Sequence, residues 1–195
     1  MDDEEVVSEN ELERRGEITF FNGEPFNGAC VDYYENGQKE SEVHYKDGKG
    51  DGLCENWYED GQKESEGHFK DGKPDGSWTY WHENGKKKEE GNYIDAIKDG
   101  QWFAWHNNGQ LKLKEAYKNG QKNGKWITWY DNGQIKTEGD YMDGKHTGEW
   151  THWHEWGWKS EVAHNSGEED DRYIAWFEDE QKKSVEHWEN GKEQG

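Results

Sequence analysis

The chain has 195 residues and a net charge of -21, and Leu, Ile, Val and Phe together number only 22. This balance is typical of disordered chains and excludes a thick aliphatic core. The charge also disfavours nucleic acid and anionic membranes as partners, because both would be repelled. The 13 Trp and 10 Tyr residues, however, recur at regular spacing, and such large rings can build a thin aromatic core.

The chain begins with an acidic stretch, residues 1–15, that we expect to be a flexible leader. It has neither the basic nor the apolar part of a secretory signal, so the sequence as written predicts a cytoplasmic location. A secreted or periplasmic location stays open, because removal of a signal peptide would leave a similar start. Residues 16–27 match the last part of the repeat described next, and we expect them to form an N-terminal half-repeat cap.

Seven repeats follow the cap, and most of them are 24 residues long. Each contains two short runs of aromatic and β-branched residues, separated by Gly-containing turns, which is the pattern of a β-hairpin. A fixed period with two strands per repeat indicates a solenoid. The sequence therefore predicts an all-β fold, an elongated, single-layer antiparallel β-hairpin meander. The repeats span residues 28–51, 52–75, 76–99, 100–123, 124–147, 148–170 and 171–195.

Each repeat has two turns, of which Asn36-Gly37 and Asp47-Gly48 are examples. We expect tight hairpins at the Asn-Gly pairs, because both residues tolerate positive φ. A two-residue turn would set Trp126 over Gly139 and Trp102 over Ala116. A large ring over a small residue is favourable packing between paired strands.

Two columns of aromatic residues recur in the repeats. The third position holds Cys30, Cys54, Trp78, Trp102, Trp126, Trp150 and Tyr173. We expect this column to form the core, although an exposed ladder of rings for a sugar, a peptide or a quaternary amine is an alternative. Strand alternation places the sixth position on the opposite face unless a bulge intervenes. The candidate binding residues are therefore the sixth-position rings and the neighbouring imidazoles: Trp57, Trp81, Trp105, Trp129, Trp153, Trp176, His82, His106 and His154.

Metal, cofactor and catalytic sites are not predicted. Equivalent histidines one repeat apart would be roughly 10 Å apart, too far to share a metal ion. Cys30 and Cys54 would be similarly separated, so we expect free thiols. No nucleophile elbow, phosphate-binding loop or dinucleotide fingerprint occurs, and most polar residues are copies of repeat positions. We therefore expect neither an enzyme nor a bound cofactor.

The repeats resemble the MORN-repeat variant family, whose members include YwqK-type antitoxins. The run Trp126-Ile127-Thr128-Trp129-Tyr130 and the following Asn132-Gly133-Gln134 carry the resemblance, together with the linker from Tyr141 to Lys145. The resemblance covers residues 28–195. It implies an array of β-hairpins and a protein that binds and neutralises a toxin.

The sequence thus predicts a non-catalytic repeat scaffold that binds a protein partner. Its acidic charge would suit a basic partner, such as a toxin engaged by an antitoxin or immunity protein. The alternative is an extracytoplasmic carbohydrate or cell-wall binder that uses the tryptophan rows. Open sheet ends favour either a monomer or weak end-to-end association.

Overall fold

A computed structural model describes residues 5–155, 159–165, 168–176, 182–189 and 192–194. No α-helix occurs in these ranges, and apart from one short 3-10 turn at Glu9–Glu11 the regular structure is β-strand. The predicted fold class, an all-β meander of antiparallel hairpins, is confirmed. The chain divides into two compact units, the N-terminal unit Met1–Lys98 and the C-terminal unit Asp99–Gly195.

The N-terminal unit combines a small cap sheet with a meander of hairpins. From β5 to β11, each longer strand pairs antiparallel with the next longer one in the chain. The strands are β1 Val6–Val7, β2 Glu13–Arg15, β3 Ile18–Phe21, β4 Glu24–Pro25, β5 Gly28–Tyr33, β6 Lys39–Lys46, β7 Lys49–Trp57, β8 Lys63–Lys70, β9 Lys73–Pro74, β10 Gly76–Trp81 and β11 Lys87–Ile94. Strand β12, Ile97–Trp105, begins in this unit and continues into the next.

The C-terminal unit continues the same plan without a cap sheet among its described residues. Antiparallel pairing runs from β12 through β13 and β15 to β20. The remaining strands are β13 Leu111–Lys118, β14 Gln121–Lys122, β15 Gly124–Trp129, β16 Ile135–Met142, β17 Lys145–Trp153, β18 Lys159–Asn165, β19 Glu168–Trp176, β20 Lys182–Glu189 and β21 Lys192–Gln194.

Residues 5–15 differ from the flexible leader that the sequence predicts. Strand β1 pairs parallel with β5, and Val7 is buried in a cluster with Phe26 and Cys30. Strand β2 pairs with β3, and the backbone N–H of Thr19 in β3 donates to Gly48 O at 2.8 Å. The segment is ordered because Val7 is buried against apolar side chains at the start of the first repeat.

The two kinds of turn have different backbones. At Asp47-Gly48 both residues have positive φ, 50° and 77°. At the first turn of the repeats only the glycine does, as at Gly37 with φ 83°, so the prediction of a two-residue turn there is wrong. The Asn36 side chain instead accepts a hydrogen bond from the Gln38 N–H at 2.9 Å, which closes a longer loop. A register shift follows at the sixth position, between Asp32 and Tyr33 in the first repeat.

The third-position column forms the core of the meander. Trp78, Trp102 and Trp150 are 6%, 1% and 3% exposed, and both cysteines are buried. Trp126 lies opposite Gly139 as predicted, but Trp102 lies opposite Glu115, so Ala116 was the wrong partner. The rings of Trp78 and Trp150 also reach the preceding repeat. A Cβ on Gly139 would lie 2.2 Å from the Trp150 ring, and one on Gly67 would lie 2.1 Å from that of Trp78.

Candidate functional site

Each unit has two chemically distinct sheet faces, because alternate residues of a strand point to opposite sides. The core face carries the third position, and its rings contact one another, as Trp78 does with Phe69 at 5.4 Å and with Tyr93 at 6.3 Å. The opposite face carries the fourth and sixth positions, as the contact between Phe103 and Trp105 at 6.1 Å shows. We call this opposite surface the indole face.

The predicted tryptophans lie on the indole face and are only partly buried. This holds for Trp57, Trp81, Trp105, Trp129 and Trp153, while the side chain of Trp176 lies outside the described residues. In the first five repeats and the seventh, a β-bulge at this position leaves one residue of the partner strand unpaired, such as Lys112 between Leu111 and Leu113, whereas the sixth repeat pairs without a bulge. The sequence left open a bulge between the third and sixth positions but did not locate it.

The seventh position, which includes the predicted histidines, links successive repeats. The hydroxyls of Tyr34, Tyr58 and Tyr130 each donate to the backbone carbonyl of the tryptophan 23 residues later, at 2.7, 2.6 and 2.8 Å. His106 Nε2 lies 3.0 Å from Trp129 O in the same arrangement. Tyrosine and histidine can therefore replace each other here because both offer a polar hydrogen at similar reach. His82 and His154 occupy the same column and are also partly buried. For His106 the observed role is structural.

On the indole face of the N-terminal unit, charged residues surround the tryptophans. Glu42 lies opposite Glu55, and Glu55 lies opposite Glu66, so carboxylates form a row across the strands. Lys63 Nζ lies 2.5 Å from a carboxylate oxygen of both Glu55 and Glu66. The hydrogen bond from Lys39 lowers the pKa of Glu42 below its ordinary value.

The same lysines cover an indole ring. Lys39 Nζ lies 5.0 Å and Lys63 Nζ lies 6.0 Å from the centre of the Trp57 ring. Ammonium groups at this distance are attracted by the ring face. The ring of Trp57 is therefore already in contact with cations of the chain itself.

The indole face of the C-terminal unit is apolar where the N-terminal unit is charged. Lys114 lies between Phe103 and Ile127 in the strand register, in the row that holds glutamates in the N-terminal unit. Leu111 and Ile135 lie opposite Trp105 and Trp129, where the earlier repeats have Lys39 and Lys63.

An acidic cleft of about 630 Å³ opens in the N-terminal unit beside the first repeat. Four carboxylates and two phenol rings contribute to its wall, and Tyr33 is 61% exposed. The side chains that matter for binding are those of Glu9, Asp32, Tyr33, Tyr34, Glu40 and Glu64. The sequence indicated an acidic surface but not this concavity, because Glu9 comes from the segment predicted to be flexible.

Histidines surround Trp150 on the core face of the C-terminal unit. The ring centres of His146 and His164 lie 4.2 and 6.3 Å from that of Trp150, and His152 stacks on it at 6.4 Å. Burial lowers the pKa of His146 and His152, and the charges of neighbouring histidines lower it further. His146 Nε2 lies 2.8 Å from the Tyr141 hydroxyl. The described part of the chain contains no group of three or more His, Cys, Asp or Glu residues arranged to hold a metal ion.

Two further buried groups are on the core face. Cys30 and Cys54 are free thiols separated by the strand that carries Val43, and burial raises the pKa of each to about 11. Glu115, 4% exposed, occupies the column that holds Gly67 and Gly139 in other repeats, and it accepts a hydrogen bond from the Tyr117 hydroxyl at 3.1 Å. The sequence did not reveal this carboxylate, because the predicted register placed Ala116 instead of Glu115 opposite Trp102.

Hairpins that repeat every 24 residues, joined by side-chain hydrogen bonds across a fixed spacing, define an antiparallel β-hairpin repeat protein. The chain belongs to the MORN repeat variant family, whose pattern matches residues 26–47, 50–71, 74–95, 98–119 and 122–143. MORN repeats commonly bind proteins or membranes and are generally not catalytic. No curated protein matches the chain significantly. Among the described residues, no helix is long and apolar enough to cross a membrane.

Proposed function

We propose that the chain is a non-catalytic scaffold that binds a basic partner protein through its N-terminal unit. The acidic cleft supports this proposal, because its carboxylates face a space large enough for one or more cationic side chains. The net charge of the N-terminal unit also favours a basic partner. Residues 1–98 contain 26 acidic and 12 basic residues, whereas residues 99–195 contain 19 and 12.

The chemistry of the cleft suits arginine or lysine side chains. A guanidinium can form paired hydrogen bonds with carboxylates such as those of Glu40 and Glu64. The exposed ring of Tyr33 offers a face on which a cation can stack. The acidic charge of the whole unit would also accelerate encounter with a basic partner, and this effect falls as salt rises.

In the specific form of this proposal, the chain is an antitoxin or immunity protein. A toxin that acts on nucleic acid needs a cationic surface, and an acidic, rigid hairpin array could cover it. The acidic N-terminal unit and the resemblance to YwqK-type antitoxins favour this form. Neutralisation can be tested by growth rescue when the chain is co-expressed with a toxin encoded beside it.

Affinity capture from the source cells tests the binding proposal. At low salt we expect the intact chain to recover basic proteins, and capture should fail when both Glu40 and Glu64 are changed to Lys. The control changes Glu17 and Glu24 to Lys, which are exposed and outside the cleft. Recovery of only acidic or neutral proteins, or equal capture by both variants, would contradict the proposal.

The carbohydrate alternative has less support from the indole face. A sugar would need to stack on an open ring, but Lys39 and Lys63 already cover Trp57. Binding of a sugar on a glycan array, together with a change in tryptophan fluorescence when that sugar is added, would support this alternative.

A further inference from the structure

The C-terminal unit carries an apolar surface with a cationic rim, and this surface has no counterpart in the N-terminal unit. We call it the lysine-rimmed surface. Its apolar part lies in the fourth, sixth and twelfth positions of the fourth and fifth repeats. These side chains are Phe103, Trp105, Leu111, Ile127, Trp129 and Ile135, and the rim is Lys112, Lys114 and Lys136.

The apolar side chains of this surface are incompletely covered. Ile135 is 36% exposed, and the other five are partly buried in the described structure. Equivalent positions of the N-terminal unit hold Glu55 and the ion-paired Lys39 and Lys63. Contiguous exposed apolar surface of this kind often marks an interaction site.

The rim lysines occupy the thirteenth and fifteenth positions, which hold Glu40, Glu42, Glu64 and Glu66 in the first two repeats. No carboxylate of the described residues lies within ion-pair distance of Lys112, Lys114 or Lys136. Lys112 and Lys136 are the unpaired residues of the bulges opposite the two tryptophans. Lys114 Nζ lies 6.0 Å from the centre of the Phe103 ring. In a chain with 45 acidic residues, these lysines leave a local positive charge beside the apolar side chains, because Glu138, the carboxylate opposite Ile127, is ion-paired with Lys125.

We propose that the lysine-rimmed surface binds an extended segment of a partner protein in which aliphatic or aromatic side chains are flanked by carboxylates. The apolar side chains of the segment would fill the gaps between Phe103, Ile127 and Ile135. Its carboxylates would pair with the rim lysines, which supplies the charge complementarity. This surface is separate from the acidic cleft and selects the opposite charge, so the two proposals fail independently.

Two synthetic peptides test the proposal by fluorescence anisotropy with the full chain. Both are fluorescein-labelled and contain alternating Leu and Phe residues, which are separated by Glu in one peptide and by Lys in the other. At about 150 mM salt the Debye length is about 8 Å, so charges near the surface dominate over the net charge of the chain. We expect the Glu peptide to bind more tightly than the Lys peptide.

Variants then locate the binding site. Changing Lys112 and Lys136 to Glu together, or Ile135 to Ser, should weaken binding of the Glu peptide by about tenfold or more. Ile135 and the two lysines are exposed, so these variants should fold. The matched controls are Lys118→Glu, an exposed lysine away from the apolar side chains, and Lys70→Glu, the exposed lysine at the same position of the second repeat.

Three results would overturn the proposal. One is equal or tighter binding of the Lys peptide, and another is unchanged binding by the Lys112 and Lys136 double variant. The third is a different occupant, shown either by self-association in sedimentation velocity that Ile135→Ser abolishes, or by binding to anionic vesicles that the double variant abolishes. Loss of binding in the surface variants but not in the controls would support the proposal.

Discussion

The indole faces of the two units have the same backbone pattern but different chemistry. In the N-terminal unit, the row formed by the fourth and fifteenth positions contains Glu42, Glu55 and Glu66. In the C-terminal unit the corresponding row begins with Phe103, Lys114 and Ile127. Apart from the bulge that the sixth repeat lacks, the hairpins pair in the same way in both units, so this face does not determine the fold. The comparison teaches that the core face sets the architecture and leaves the indole face free to vary.

The two rows also differ in what they require from their neighbours. Like charges directly opposite each other across paired strands are destabilising. The N-terminal unit offsets this repulsion with lysines in the twelfth position, such as Lys63 between Glu55 and Glu66. The C-terminal unit has no such repulsion in this part of the row, and Leu111 and Ile135 occupy the twelfth position. Binding chemistry can therefore change from one repeat to the next without altering the hairpins.

The largest expected effect tests whether the core face is common to both units. Trp78→Ala and Trp150→Ala should each lower the free energy of unfolding of the unit by about 3–5 kcal/mol, because both remove a buried ring. Trp129→Ala on the indole face should cost less, because its ring is only partly buried. Urea denaturation followed by circular dichroism measures these values. A loss for Trp129→Ala as large as that for Trp150→Ala would mean that both faces support the fold equally.

The next effect concerns two glycines in the same column, one in each unit. Gly67→Ala and Gly139→Ala should each lower the free energy of unfolding by about 1–3 kcal/mol, because the added methyl group would overlap the ring of Trp78 or Trp150. Gly50→Ala is the control, since its Cβ would make an ordinary contact of 3.5 Å with Phe69 and its φ is not positive. Thermal unfolding of the three variants tests this prediction. Equal losses at Gly50 and Gly67 would show that overlap with the Trp78 ring is not what selects glycine.

Much of this core could be predicted from the sequence, because the period and the residue types were sufficient. The spacing of the third-position tryptophans identified the buried column, and the position of Gly139 gave its pairing with Trp126. The pairing of Trp102 was missed by one residue, so the buried carboxylate of Glu115 was missed too.

Other features could not be predicted because the sequence is compatible with more than one geometry. An Asn-Gly pair fits both a two-residue turn and the longer loop that Asn36 closes with its side chain. The choice between them decides whether a bulge follows, and the bulge places Lys112 and Lys136 beside the tryptophans. The pairing of Val6–Val7 was missed because two apolar residues in an acidic stretch are too short for a periodic signal.

A smaller effect tests the charge row of the N-terminal unit directly. Lys63→Met should lower the free energy of unfolding by about 1 kcal/mol, because Glu55 and Glu66 would then face each other without a cation. Adding Glu66→Gln should recover most of the loss. In the C-terminal unit Ile135→Met should be nearly neutral, since no carboxylate pair depends on it. The loss for Lys63→Met should shrink as salt is added, and a loss that did not change with salt would point to packing instead of charge.

The smallest expected effect is a difference between the two units in how stability depends on pH. The pKa values of His146 and His152 are lowered in the folded chain by burial and by neighbouring positive charge, so the unfolded chain takes up protons more readily. Their contribution to stability is therefore present above the ordinary histidine pKa of about 6.5 and is lost as pH falls below it. For Glu42 in the N-terminal unit, the lowered pKa means that stability is lost only at more acidic pH, below about 4.3.

Hydrogen exchange at pH 7.5 and 5.5 measures this difference peptide by peptide, after correction for the intrinsic exchange rate. We expect strands β16 to β18 to lose protection at pH 5.5 while β6 to β8 keep theirs. His152 lies within hydrogen-bond distance of Thr137, so His152→Gln keeps a polar group at that site while removing the titration. Combining it with His146→Phe should make the protection of β16 to β18 independent of pH in this range. Equal loss of protection in both units at pH 5.5 would place the acid sensitivity outside the histidines around Trp150, because only the C-terminal unit contains them.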